Sequence, residues 1–204
     1  MIIDLSVQLT ENTPVYPGDP KPEIKTAGTF AEQGYLDHSV FMGMHNGTHI
    51  DAPAHMLEGA KTLDEFPVDT FVGRCRCILV KDYQFSLEEV QSADIKAGDI
   101  VIFNTGMSQR FNDPEYFTDY PAMSEDIARW LVGRGVKMVG VDTCSVDNQP
   151  GFPVHKILLG SNIPIIENLT NLESLAGAEC TIYALPIKFN LDAAPARVIA
   201  EVHG

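Results

Sequence analysis

Eleven residues, His45-Asn46-Gly47-Thr48-His49-Ile50-Asp51-Ala52-Pro53-Ala54-His55, hold three of the chain's six histidines together with an aspartate, and they limit the fold more than any other segment. As one extended strand they would place His45, Gly47, His49 and Asp51 on a single face. His45 and His49 would then stand roughly 13 Å apart, at about 3.3 Å per residue, an awkward span for one ion. A helix would bring positions four apart together, but the Asn46-Gly47 pair, β-branched Thr48 and Ile50, and Pro53 oppose one. A tight turn remains. Asn-Gly suits it because both residues tolerate positive φ, and a bend there returns His49 toward His45 with Asp51 close behind. Two imidazoles and a carboxylate then converge with coordination positions left for water, the arrangement of a catalytic rather than a structural zinc site. Pro53 fixes the exit from the turn and Ala52 keeps the backbone uncrowded. His55, four residues past Asp51, is a further ligand or a general acid/base beside the ion. A polar loop whose histidines merely cap and hydrogen-bond is the competing reading, and it accounts poorly for the clustering.

The remainder of the chain is read as the scaffold for this segment. Its 204 residues suit one ordinary domain with a well-buried core, and no repeat, low-complexity tract or linker-like run marks a boundary. Hydrophobic residues at 45% and charged residues at 21% exclude a disordered or fibrous chain. A net charge of -14 repels a phosphate backbone, so nucleic acid is not an expected partner. The start, Met1-Ile2-Ile3-Asp4-Leu5-Ser6, lacks a basic, long apolar leader, and no apolar run is long enough to cross a bilayer, so a cytoplasmic location away from membranes is expected. Cys75 and Cys77 read as same-face positions of a strand, too far apart for a good disulfide, and Cys144 and Cys180 show no CxxC spacing. Free thiols are expected.

Short β-branched runs predict strands over residues 2–7, 40–42, 75–80, 100–104, 137–141, 163–167, 181–185 and 198–202, several apolar enough to be buried on both faces. Ser86-Leu87-Glu88-Glu89 has the spacing of a capping box and predicts a short helix. Ser124-Glu125-Asp126 opens the clearest helix, with Ile127, Trp130 and Leu131 on one face and Gly133 and Gly135 at its end. Another is expected from Pro153 to Leu159, with Gly160 as a left-handed terminator. The mixture points to an α/β architecture with a strand-rich core and a few short helices.

The His-x-Gly-Thr-His-x-Asp-x-Pro-x-His segment resembles the signature of the cyclase family of metal-dependent hydrolases, which includes bacterial kynurenine formamidases and isatin hydrolases. The resemblance extends to Asp4-Leu5-Ser6, Pro14-Val15-Tyr16-Pro17-Gly18-Asp19, the stretch from Val139 to Asp147, Glu167-Asn168-Leu169 and Leu185-Pro186-Ile187-Lys188. It implies a swivelling β/β/α fold. It also implies that His45, His49 and Asp51 bind a first divalent metal, with Asp51 able to bridge to a second. His155 would contribute to that second ion, Glu167 would reach both, and His55 would act in proton transfer. Without the resemblance, His155 reads as a helix-surface residue and Glu167 as a charged strand end.

Family members of this kind are commonly dimers or tetramers, so a homo-oligomer is expected. One or two ions are implied, zinc first, with manganese as the alternative. Two departures bear on the substrate. Tyr16 stands where kynurenine formamidases usually place a tryptophan against the aromatic substrate, and Asp192-Ala193-Ala194-Pro195-Ala196-Arg197 replaces the usual Asp-Gly-Ser-Pro-x-Arg. In the latter, Arg197 remains able to pair with a carboxylate.

The expected activity is hydrolysis of an amide, an aryl formamide such as N-formylkynurenine or a related cyclic amide, by metal-activated water. The rivals are a non-catalytic metal- or ligand-binding protein and a cyclase acting on another carbonyl substrate. His38 reads as an exposed loop histidine and His203 as a solvated terminal one. Met42, Met44, Met56, Phe66 and Phe71 are either substrate wall or core filling.

Overall fold

The apolar runs become strands that enclose one core and turn their outer faces to another beneath the helices. The structure is a computed structural model that describes residues 1–203. In chain order the strands are β1 (Ile2–Asp4), β2 (Glu23–Gly28), β3 (Asp37–Phe41), β4 (His49–Asp51), β5 (Val72–Leu79), β6 (Ile100–Asn104), β7 (Met138–Val141), β8 (Ile165–Glu167), β9 (Cys180–Pro186) and β10 (Ala193–Val202). The helices are α1 (Leu87–Ser92), α2 (Glu125–Arg134) and α3 (Pro153–Gly160). Strands β10, β4, β8, β7, β6, β5 and β9 pair in that order, and β9 returns to β10, which closes a barrel; β1 adds to the outside of β10. The pairs β5–β6, β6–β7 and β7–β8 are parallel, each joined by a crossover that carries one of the three helices, while the remaining ladders are antiparallel.

Strand β6 shows why its sequence is an unbroken apolar run. Ile100 and Ile102 point into the barrel beside Ile50, Met138, Ile166, Ile182 and Val198. Val101 and Phe103 point outward, under Ile127 and Leu131 of α2 and Val154 and Leu158 of α3. Two faces covered by apolar layers need two faces of apolar side chains. The barrel interior is tight at Gly140, where an added Cβ would lie 2.9 Å from a Leu169 side-chain carbon and 3.2 Å from one of Ile102.

Several boundaries differ from the sequence expectation. β10 starts at Ala193, five residues before Val198, because Ala193–Pro195 pair with β4 although small residues and proline carry no strand signal of their own. β1 ends at Asp4 and β8 begins at Ile165. Of the strand expected over 40–42, Val40 and Phe41 end the fully exposed β3, which forms a hairpin with β2, a strand whose side chains show no clean alternation.

Ser86 caps α1 by accepting from Glu89 N, but the reciprocal half of the box is absent because Glu89 turns to Lys81. Gly133 lies inside α2, and Gly135, at φ 69°, ends it. Gly160 is the last residue of α3 and not its left-handed terminator; that conformation falls to Asn162, at φ 56°. All four cysteines are free thiols. No helix of the described residues is long and apolar enough to cross a membrane.

Candidate metal centre

The short strand β4 fixes the middle of the site. Alternation sends Ile50 into the barrel core and leaves His49 and Asp51 together on the opposite face, both buried. Across the ladder, β8 sets Glu167 directly opposite His49. Upstream, the chain turns at residues 43–47. Asn46 N donates to Gly43 O, Asn46 Nδ2 donates to Pro20 O, and of the Asn-Gly pair only Gly47 takes positive φ, at 67°. The bend expected at this pair is therefore present, but glycine alone supplies the left-handed residue. It carries His45 back until its Nδ1 lies 2.9 Å from Asp51 Oδ1. Downstream, Pro53 opens a 3₁₀ turn through His55, whose N–H donates to Ala52 O, and the His55 ring stands 4.1 Å from that of His45.

His155 arrives from the first turn of α3 and is buried, so it is not a helix-surface residue. Asp147 holds it there. One carboxylate oxygen accepts from Val154 N at 3.0 Å, and the other accepts from His155 N at 2.9 Å and from His155 Nδ1 at 2.8 Å. The remaining ring nitrogen, Nε2, lies 3.2 Å from Glu167 Oε1 and 3.7 Å from Asp51 Oδ2. Asp51 thus turns one oxygen toward His45 and His49 and the other toward His155. Glu167 is likewise divided, with Oε2 3.6 Å from His49 Nε2. His45, His49, Asp51, His155, Glu167 and His55, dispersed over more than 120 residues of sequence, are gathered at one place at the carboxyl end of β8.

The donors fit a divalent cation. Of the five buried side-chain polar atoms without a hydrogen-bond partner among the described residues, four are here: His49 Nε2, both oxygens of Asp51, and Glu167 Oε1. Buried polar atoms are otherwise almost always paired, so this concentration marks lone pairs aimed at a common point. Two overlapping sets have donors close enough to share an ion, His49 with Asp51 and Glu167, and His45 with Asp51 and His55. The outer partners suit the same role, since His49 Nδ1 donates to Gly47 O and His155 Nδ1 to Asp147, each leaving Nε2 turned toward the cluster.

The electrostatics follow from this crowding. Burial disfavours charge on His45, but the nearby Asp51 carboxylate and the hydrogen bond to Asp192 prevail and raise it to about 10. Burial also opposes the Asp51 carboxylate, yet His49 and His45 hold it well below the ordinary carboxylate range. His155 is pushed down by burial and, more strongly, up by Asp147, Asp51 and Glu167.

A pocket of about 370 Å³ opens over these donors, with Tyr16, Phe117, Phe152 and Met56 as its apolar wall and Asp19 and Ser145 among its polar groups. Tyr16 lines it, packed edge-on against Phe117 at 6.2 Å. Phe152 takes φ 50°, a conformation rare for a bulky side chain, and its ring stands edge-on to His155. Met42, Met44, Phe66, Phe71 and His38 do not line this pocket. A larger groove, about 790 Å³, runs beside β10, but its charged residues, Asp4 and Arg197, bond each other and no set of donors converges there. Chemistry and not size therefore selects the smaller pocket. His203 is exposed, beside Thr181.

Sequence spacing does not reveal four contributors. Asp147 closes the stretch from Val139 yet nothing in its position links it to His155. Asn168, in the left-handed conformation, donates to Gly47 O and braces the turn. Phe117 belongs to a loop with no periodicity. Asp192 accepts from His45 Nε2 at 3.1 Å and from His55 Nδ1 at 3.3 Å, bringing the start of β10 into the site.

Comparison with known proteins agrees with this geometry. Residues 3–148 match the family model described as a putative cyclase. The kynurenine formamidase of Geobacillus thermodenitrificans is 31% identical, over 99% of this chain and 98% of its own. A solved structure of a potential metal-dependent hydrolase with cyclase activity superposes with a TM-score of 0.84 at 31% identity, covering 98% of this chain and 96% of that one. Isatin hydrolase A from Labrenzia aggregata superposes at 0.89 with 25% identity, covering 98% and 93%. The fold is the swivelling β/β/α type that these structures share.

Proposed function

Because the chain belongs to the cyclase family of metal-dependent hydrolases, we propose that it opens an aryl formamide such as N-formylkynurenine, or a related cyclic amide, in the pocket over Asp51. It is a metal-dependent hydrolase of a C–N bond other than a peptide bond, and its relatives include a kynurenine formamidase and an isatin hydrolase. The observation that carries the reading is the group of buried, unpartnered donor atoms on His49, Asp51 and Glu167.

His45, His49 and Asp51 would hold one divalent ion, and His155 with Asp51 another, Glu167 serving both. When bound, such ions lower the pKa of water and polarise a carbonyl. The protein's own groups supply the rest. Tyr16, Phe117 and Phe152 receive the aryl group and keep water from the far side of the pocket. His55 moves the proton. As the C–N bond breaks, its free Nε2 delivers to the departing nitrogen a proton taken from the attacking water, while Nδ1 stays bonded to Asp192. Zinc suits the imidazole-rich half, and the carboxylate-rich half also accepts manganese. A cytoplasmic location belongs to the same reading, and so does a homo-oligomer, which the exposed Val40 and Phe41 of the β2–β3 hairpin and Phe30, Tyr35 and Leu36 beside them support.

The test uses zinc- or manganese-loaded protein with N-formylkynurenine, isatin and simple formanilides, with and without chelator. Turnover should vanish with chelation. His55→Ala should retain metal and lose about 10²–10⁴-fold in kcat, the usual worth of a positioned acid/base, whereas Asp51→Ala should lose both. Metal loss in His55→Ala would make that residue a ligand, and silence on every substrate would favour a binding protein.

A further inference from the structure

Asp192 belongs to neither set of converging donors, yet a single oxygen of its carboxylate touches two site histidines of different kinds. Oδ2 lies 3.1 Å from Nε2 of His45, whose Nδ1 faces Asp51, and 3.3 Å from Nδ1 of His55. A carboxylate only accepts, so both ring nitrogens donate to it. The backbone around Asp192 is clamped to the site. Its carbonyl accepts from Ala52 N at 2.7 Å, Leu191 O accepts from Leu63 N, and Ala193 stands opposite Asp51 in the β10–β4 ladder.

We propose that Asp192 is a positioning residue that sets the tautomers of His45 and His55 together. The inference rests on the hydrolase reading above. With Nε2–H of His45 held by Asp192, the Nδ1 lone pair is the one presented beside Asp51. With Nδ1–H of His55 held by the same oxygen, the Nε2 lone pair faces the substrate. When His55 picks up the proton from the attacking water, both its nitrogens carry hydrogen and the ring becomes a cation. The neighbouring carboxylate stabilises that cation until the proton passes to the departing amine and the neutral ring returns.

This role makes a prediction that simple structural support does not. Departure of a basic amine requires the proton, whereas departure of a weakly basic one such as 4-nitroaniline depends on it less. In zinc-loaded Asp192→Asn, a shape-preserving variant, kcat for a formanilide bearing an electron-donating group should fall about 10–100-fold, the usual effect of removing an outer partner of such a histidine. For 4-nitroformanilide the loss should be at most a few-fold. Asp192→Ala should repeat the pattern.

The readout independent of activity is ¹⁵N NMR of the histidine rings in the zinc-loaded protein. Wild type should show His55 as the pure Nδ1–H tautomer, and the variant a mixture. Zinc content should remain at the wild-type stoichiometry. Equal losses across leaving groups with unchanged tautomers would overturn the proposal. So would loss of zinc as complete as in Asp51→Ala, which would make Asp192 a ligand. If wild type hydrolyses no formanilide, the hydrolase reading fails, while the NMR comparison still decides whether Asp192 sets the tautomers.

Discussion

Loading the centre with zinc should raise the melting temperature in proportion to the logarithm of free zinc. In the metal-free protein, Asp51 and Glu167 are buried with oxygens that have no hydrogen-bond partner, and each such atom typically costs about 1–3 kcal/mol. A cation that meets them binds the folded chain and not the unfolded one. At free zinc 100-fold above Kd, linkage adds about 2.7 kcal/mol. For a chain of 204 residues, about 2–4 °C accompanies each kcal/mol, so the shift should be roughly 5–11 °C. Every further decade of zinc adds about 1.4 kcal/mol, or roughly 3–6 °C. The assay is scanning calorimetry of chelator-stripped protein over three decades of buffered zinc. Asp51→Asn serves as the control. It takes away the carboxylate that His45 faces at 2.9 Å, so the stripped variant should melt below stripped wild type, and its response to zinc should be lost. A wild-type melting temperature independent of zinc and manganese would refute the idea that these carboxylates are arranged around a cation.

The stripped protein should also lose stability toward alkaline pH. The His45 contribution is complete below its ordinary value of 6.5 and lost as pH rises through about 10, while that of Asp192, lowered to about 2 chiefly by its hydrogen bond to His45, is complete above 3.8 and lost as pH falls through about 2. Urea unfolding of stripped protein should therefore give a higher midpoint at pH 5.5 than at pH 9, and equal midpoints would contradict the His45 assignment. With His45 as a ligand, metal would have to displace its proton, so zinc affinity should rise over the same interval, measurable as proton release on binding. Gly140→Ala should destabilise by about 1–3 kcal/mol, since the new methyl meets Leu169 inside the closed barrel; an unchanged denaturation midpoint would show slack there.

The sequence alone determined the elements whose signals are local. Ile100–Asn104 reads as a doubly buried strand and is one, because a strand between two apolar layers must be apolar at every position. Ser124 and Gly135 bracket α2 because caps act on their own neighbours. The bend at Gly47, with His49 and Asp51 at alternate positions, is legible for the same reason. The resemblance extends this to His155 and Glu167, which no spacing connects to the cluster.

Tertiary structure alone decided what depends on distant pairing. β10 begins at Ala193 because β4 lies beside it, and that ladder delivers Asp192 to His45 and His55 across more than 130 residues. The β7–α3–β8 crossover sets Asp147 behind His155. A carboxylate at a site histidine and a carboxylate at the surface read alike in sequence; only closure of the barrel, driven by apolar side chains that take no part in the chemistry, separates them.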